Sequence, residues 1–227
     1  MRHGKKYRES LKKYDAAAIF DLNSALNLVK SLAYAKFDET VDLSVKLNLK
    51  KSQSVRDTVV LPNQFRGEKK ILVFCEPEKE KEAQDAGAVF VGADDLIEKI
   101  KGGWTDFDVA VATPDMMKDV GKLGMVLVRK GLMPNPKTGT VTFDIKGALS
   151  ELKKGRTEFR ADKTGVVHLA VGKVSMEIDK LAENVRTVLT EIKRKKPVDA
   201  KGEFIRTVSV ASTMGPGVKV NPLRVTD

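Results

Sequence analysis

A single cysteine, Cys75, and two histidines, His3 and His168, leave this 227-residue chain little from which to build a disulfide, a cysteine-rich zinc site or histidine-based acid–base chemistry. Long apolar runs are missing too. The most apolar stretch, Ile-Leu-Val-Phe-Cys at 71–75, has the length of a strand and falls far short of the ~18 residues a membrane helix needs, so no membrane association is expected. The opening MRHGKKYRESLKKY is basic, but no apolar segment follows it, which argues against a secretory signal. Glu9, Asp15 and a scarcity of serine argue against a transit peptide, and a cytoplasmic location is expected. Internal repeats and low-complexity tracts are also absent.

The devices of nucleotide chemistry are lacking as well. There is no G-x-x-x-x-G-K-[ST] and no G-x-G-x-x-G after a strand; Gly102-Gly103-Trp104 precedes one instead. Asp94, Asp95, Asp106, Asp108 and Asp115 could suggest magnesium, but they fall at helix starts and strand edges, where caps and solvated turns account for them. Cys75 closes an apolar run and reads as a buried thiol, a small hydrophobe more than a nucleophile. His168 lies in an alternating strand, where a structural or surface role is expected. No Ser/His/Asp set can be assembled. Neither an enzyme nor a bound cofactor or metal is expected.

What is present is charge, unevenly spread. The net charge is +10, divided as +6 over residues 1–67, −1 over 68–159 and +5 over 160–227. A basic excess is the electrostatic footprint of a polyanion, since each neutralised phosphate releases a counterion. A soluble surface explains the total equally well. Its segregation into the two ends favours binding.

The hydrophobic pattern changes where the charge does. Residues 7–14 form a basic helix candidate. A second helix follows Asp21, with Leu22, Ala25, Leu26, Val29, Leu32, Ala33 and Phe37 at helical spacing. Val41, Leu43, Val45, Leu47 and Leu49 then alternate with polar residues, the mark of a strand with one buried face. A strand at 58–61 and a polar linker at 63–70 close this part. From 71 to 154 short apolar strands (71–75, 88–91, 107–112, 140–145) alternate with helices (77–86, 93–101, 114–122, 147–154), which predicts a parallel sheet with helices packed on it. The last part returns to alternation. Strands at 158–161 and 166–171 read as an antiparallel pair around Asp162-Lys163-Thr164-Gly165, an amphipathic helix spans 177–195, and a strand precedes Thr213-Met214-Gly215-Pro216-Gly217. Each end alone, at about 67 residues, is marginal for a core. Joined, they are expected to make a split α+β sheet domain with the α/β middle inserted.

Three places suit RNA. Lys36-Phe37-Asp38-Glu39-Thr40 sets an aromatic ring beside a cation where a helix gives way to a strand, although Phe37 fits a core as well. Thr213-Met214-Gly215-Pro216-Gly217 offers glycines that allow close approach, a hydroxyl for a ribose 2′-OH and a methionine that can lie on a base or sugar; it also fits a plain turn. The basic N-terminus and the cations at 193–196 are candidates for phosphates or, equally, a solvated face.

The segments KFDETVDLSVKLNLK, VVLP, GADDLIEKIKGGWTDFDVAVATPDMM, GLMPNPKTGTV, EFRADKTGVVHLAVGK and TMGPGVKVNP, in order through nearly the whole chain, resemble the "L-one" family of bacterial large-subunit ribosomal proteins, the proteins of the mobile stalk. GLMPNPKTGTV and TMGP carry most of the specificity. The resemblance implies an α/β fold in two domains: a discontinuous split β-α-β sheet domain, residues 1–67 and 160–227, which binds RNA, and an inserted Rossmann-like three-layer α/β domain, residues 68–159. It implies binding to the stalk region of large-subunit rRNA, help for exit-site tRNA in leaving, repression through its own operon mRNA, and a monomer outside the ribosome. Carried over by motif, the RNA-binding residues are Phe37, Thr40, Thr207, Thr213, Met214 and Gly215, with Lys36, His3 and Lys5 in addition. Two stretches depart from the family pattern. Leu127-Val128-Arg129-Lys130 stands where Leu-Gly-Pro-Arg is usual, and Pro62-Asn63-Gln64-Phe65 where Pro-His-Gly is usual. A nucleotide-using α/β protein with basic flanks and a general nucleic-acid chaperone are the competing functional classes.

Overall fold

In the computed structural model, residues 4–50, 53–65, 67, 69–153, 155–197 and 202–222 are described. The chain forms two compact units, Met1–Phe65 with Thr157–Asp227, and Arg66–Arg156.

The first segment supplies α1 (Lys5–Leu11), β1 (Ile19–Phe20), α2 (Leu22–Leu32), β2 (Thr40–Leu47) and β3 (Arg56–Val60). The basic helix thus starts and ends before the expected 7–14. Asp21 stands at the N-cap of α2 through its backbone, its carbonyl accepting from Ala25 N–H at 2.8 Å, with no side-chain cap. Leu22, Ala25, Leu26, Val29 and Leu32 form its buried stripe. The expected continuation to Phe37 does not occur. Beyond Leu32 the N–H groups of Tyr34 and Ala35 are taken by the Glu39 carboxylate at 3.0 and 2.8 Å, replacing the carbonyls a further helical turn would have offered. Phe37 is consequently 56% exposed and is no part of the core.

The middle unit has β4 (Ile71–Phe74), a 3-10 turn Pro77–Lys79, α3 (Glu80–Asp85), β5 (Phe90–Gly92), α4 (Asp94–Lys101), β6 (Val109–Ala112), α5 (Met117–Gly121), α6 (Gly124–Lys130) and α7 (Ile145–Lys153). The three strands form a parallel sheet in the order β5-β4-β6. On one face Leu72 and Phe74 pack with Leu96, Ile97, Ile100, Val120 and Leu127 of α4, α5 and α6. On the other, Ile71 and Val73 pack with Ala83 of α3 and Ile145, Leu149 and Leu152 of α7. Three layers result, as a strand buried on both sides requires. The expected strand at 140–145 shrinks to one bridge between Val141 and Ala112. Asp144 ends it by capping α7, its Oδ1 accepting from Gly147 N–H at 2.9 Å. Val128, Arg129 and Lys130, which depart from the family pattern, form the last turn of α6, closed by Gly131 at φ 70°.

The chain returns through β7 (Arg156–Arg160), β8 (Val166–Lys173), α8 (Ile178–Arg194), β9 (Ile205–Ser212) and β10 (Val218–Val220). The expected pairing of β7 with β8 is overturned. The two share only an isolated bridge, Ala161 with Val167, and β7 forms a separate sheet with β3. The main sheet has five strands in the order β1-β10-β9-β2-β8. Odd-numbered side chains of β2 (Val41, Leu43, Val45, Leu47) register with Val167, Leu169, Val208 and Val210 and pack under α2 and α8, whose Leu181, Val185, Val188, Leu189 and Ile192 are buried. Asn184 of α8 is fully buried, yet its amide is satisfied. It donates to the carbonyls of Asn63 and Val171, both at 2.8 Å, and accepts from Asn63 N–H at 3.0 Å. The second departing stretch is thereby fastened to the core helix.

Candidate nucleic-acid interface

A strand that buries its odd-numbered side chains turns the even-numbered ones the other way. Both helices lie on the odd side of the sheet, so the even side is left as a polar face. It carries Asp42, Ser44 and Lys46 of β2, His168 and Ala170 of β8, Thr207, Ser209 and Ala211 of β9, and Lys219 of β10, all half-buried or exposed. Register sets them in rows: Ser44 lies opposite both His168 and Ser209, Ser209 opposite Lys219, and Lys46 opposite Thr207. Ser44 Oγ and His168 Nδ1 are 3.0 Å apart.

At one end of this face the bend between α2 and β2 meets the turn after β9. Thr213 closes the strand pair. Its N–H donates to the Thr40 carbonyl at 3.0 Å, and its hydroxyl accepts from Thr40 N–H at 2.9 Å and donates to the same carbonyl at 3.2 Å. The Thr213 hydroxyl hydrogen is therefore engaged within the protein, leaving a lone pair to a ligand. Thr40 is the reverse case. Lys173 donates to its Oγ1 at 2.9 Å, so its hydroxyl hydrogen remains for an outside acceptor. Glu39 sits between the two segments, 2% exposed, and Oε2 accepts from Met214 N–H at 3.0 Å. Tyr34 hydroxyl donates to the Met214 carbonyl at 2.8 Å, and Tyr14 hydroxyl to the Gly217 carbonyl at 2.9 Å. Burial alone would raise the Glu39 pKa, but the N–H groups of Ala35 and Met214, the Ser212 side chain and the Tyr34 N–H outweigh it and hold the carboxyl below its ordinary range. It is therefore an anion at neutral pH, with its oxygens turned inward.

Six of the nine residues named from the sequence come together here: Lys36, Phe37, Thr40, Thr213, Met214 and Gly215. Phe37 and Met214 protrude, 56% and 49% exposed. A Cβ on Gly215 would stand 2.4 Å from Ser212 Oγ, so a side chain there requires the Ser212 hydroxyl to turn away. Thr207 is exposed on the same face but at the far end of β9, roughly 20 Å along the strand. Lys5 is exposed at the start of α1, and a bond from Ser10 Oγ to the Leu32 carbonyl (3.4 Å) ties that helix to the end of α2. His3 lies outside the described residues. Sequence reasoning missed Lys173, Ser44, His168, Ser209, Lys46 and Lys219 as members of the face. The alternation in β2 marked two of them, Ser44 and Lys46, but the strand order that aligns the rest is not local.

The remaining candidates resolve differently. In the run 193–196, Lys195 pairs with Asp57, Arg194 with Glu191 at 2.6 Å, and Lys196 Nζ donates to the Gly202 carbonyl at 3.1 Å, so most of this charge is committed. In the middle unit Asp106 pairs with Lys70 at 2.9 Å, and Asp108 accepts from Lys70 N–H at 2.8 Å, the behaviour of turn carboxylates. Among the described residues no group of three His, Cys, Asp or Glu could hold a metal ion. Cys75 is buried beside Glu80, and burial first and that carboxylate second push its thiol up to about 11. It stays protonated at neutral pH and is a poor nucleophile.

A polar sheet face ending in exposed apolar side chains is common to several nucleic-acid binders, so comparison with known proteins decides the identity. The family described as "Ribosomal protein L1p/L10e family" matches residues 29–216, which include both halves of the junction. The chain belongs to this family. It is 66% identical over 221 residues to large ribosomal subunit protein uL1 of Treponema denticola, covering 97% of this chain and 98% of that one. It is 59% identical over 220 residues to uL1 of Treponema pallidum (97% of each chain) and 55% over 218 residues to uL1 of Borreliella burgdorferi (96% of each). Membership of a ribosomal protein family makes this a structural protein and not an enzyme.

Proposed function

We propose that this chain is a structural constituent of the large ribosomal subunit that binds large-subunit rRNA through the polar sheet face and the junction at its end. One observation carries the reading. Exposed Phe37 and Met214, which can lie on bases and sugars, stand beside the cations Lys36 and Lys173 and the Thr40 hydroxyl, on a surface built from both basic ends of the chain. Folded RNA is recognised by this combination of backbone neutralisation, 2′-OH contact and stacking on unpaired bases. The RNA-binding unit is then residues 1–67 with 160–227, and the nearly neutral insertion 68–159 is carried on it.

The family resemblance supports finer assignments: the rRNA is the mobile stalk region, the protein assists exit-site tRNA in leaving, and it represses its own operon by binding an mRNA structure that presents the same surface as the rRNA. It works in the cytoplasm and is a monomer outside the ribosome. The test is a titration of the full-length protein with the stalk rRNA fragment, a scrambled RNA, duplex DNA and nucleotides across a salt series. The expected result is tight binding to the stalk fragment, weakening as salt rises, with at least ~10³-fold preference over the scrambled RNA. Equal affinity for scrambled RNA and DNA at matched salt would instead show a general chaperone. Tight, magnesium-dependent nucleotide binding without preference for the stalk fragment would count against RNA as the ligand of this surface.

A further inference from the structure

We propose that Glu39, which contacts no ligand itself, is the positioning residue that fixes Phe37 and Met214 in one arrangement before RNA arrives. The inference rests on the RNA-binding reading above and adds a residue to it. A carboxylate at the centre of a phosphate-binding surface is unfavourable unless its charge is turned away. Here Glu39 is 2% exposed and its carboxylate oxygens face three main-chain N–H groups, Tyr34 and Ala35 in the bend after α2 and Met214 in the turn after β9.

The Met214 backbone is held completely from the first segment, its N–H by Glu39 and its carbonyl by the Tyr34 hydroxyl at 2.8 Å. Only its side chain is left to project. The same carboxylate ends α2 and so sets the bend that exposes Phe37, two residues before it. A turn that sampled other conformations would bind with an apparent affinity reduced by the fraction of time it is competent. Fixing it beforehand removes that reduction.

The test compares Glu39→Gln and Tyr34→Phe, each alone and combined with Met214→Ala, in the full-length protein against the stalk rRNA fragment, with a thermal melt as the folding control. Glutamine preserves shape and one acceptor but turns an amide N–H toward a backbone N–H. We expect Glu39→Gln to weaken binding about tenfold with an unchanged salt slope, because no phosphate contact is lost. In the Met214→Ala background the same change should add little, since the two act as one unit. Wild-type affinity of a folded Glu39→Gln protein, or an equal loss in both backgrounds, overturns the positioning role. If Glu39→Gln does not fold, Tyr34→Phe decides: about threefold weakening that vanishes with Met214→Ala supports the role, and no weakening overturns it. Should Met214→Ala itself bind like wild type, the RNA-binding reading of the turn fails; should Met214→Ala weaken binding and Glu39→Gln not, only the positioning role fails.

Discussion

Met214→Ala is expected to weaken binding to the stalk rRNA fragment by ~1–3 kcal/mol, the scale of a good specific nucleic-acid contact. The side chain is 49% exposed and its backbone is held independently by Glu39 and Tyr34, so the thermal melt should not change. No cation is removed, and the plot of log affinity against log salt should keep its slope. This combination separates a contact from a charge effect. A Lys36→Ala protein would instead lose slope, because it loses a phosphate partner.

The largest effect on stability is expected at Leu43. It is fully buried at the middle of β2, which is itself hydrogen-bonded to β8 and β9, and it registers with Leu169 and Val210. Leu43→Ala removes buried methyl groups and leaves a void between two helices and three strands, at a cost of ~2–5 kcal/mol in urea denaturation. Its neighbours Asp42 and Ser44 point to the opposite face, so at a temperature where the variant remains folded its affinity for RNA should be unchanged. A cost below ~1 kcal/mol would mean that the sheet core is packed otherwise.

Much of this was legible in the residues. The period of two in β2 and the helical period of α8 gave the buried faces directly, because each follows from backbone geometry alone. Continuous apolar strands alternating with helices gave the parallel sheet with helices packed on it in the middle unit, apart from the strand expected at 140–145. What escaped is non-local. Asp162-Lys163-Thr164-Gly165 does form the tight turn it suggested, with Asp162 Oδ1 accepting from Thr164 and Val166 N–H groups, both at 2.8 Å. The strand before it nevertheless leaves the hairpin after one bridge, because Phe159 is 1% exposed in the core and β3 offers the pairing edge there. β1 and β10, two and three residues long, carry too few side chains for a pattern.

The junction was half legible. Motif resemblance named Phe37, Thr40, Thr213, Met214 and Gly215, and these lie together. It could not show that the Thr213 hydroxyl closes the strands, that Lys173 reaches Thr40, or that a carboxylate in the same motif stops the helix before Phe37. Each depends on partners more than a hundred residues away or on a bend that periodicity hides.

The RNA surface is expected to belong to the two chain ends acting together. Strands β3 and β7 lie side by side where the chain leaves and re-enters this unit, Ala161 N–H donating to the Val55 carbonyl at 2.8 Å and Arg56 pairing with Glu158. A short Gly-Ser linker should therefore replace residues 66–156. The deciding measurement is the affinity of that shortened protein for the stalk rRNA fragment. A cooperative melt with affinity within about threefold of full length is predicted, since only ~0.7 kcal/mol or less should be lost with the insertion. A shortened protein that melts cooperatively and does not bind the fragment would mean that the two chain ends do not hold the RNA surface.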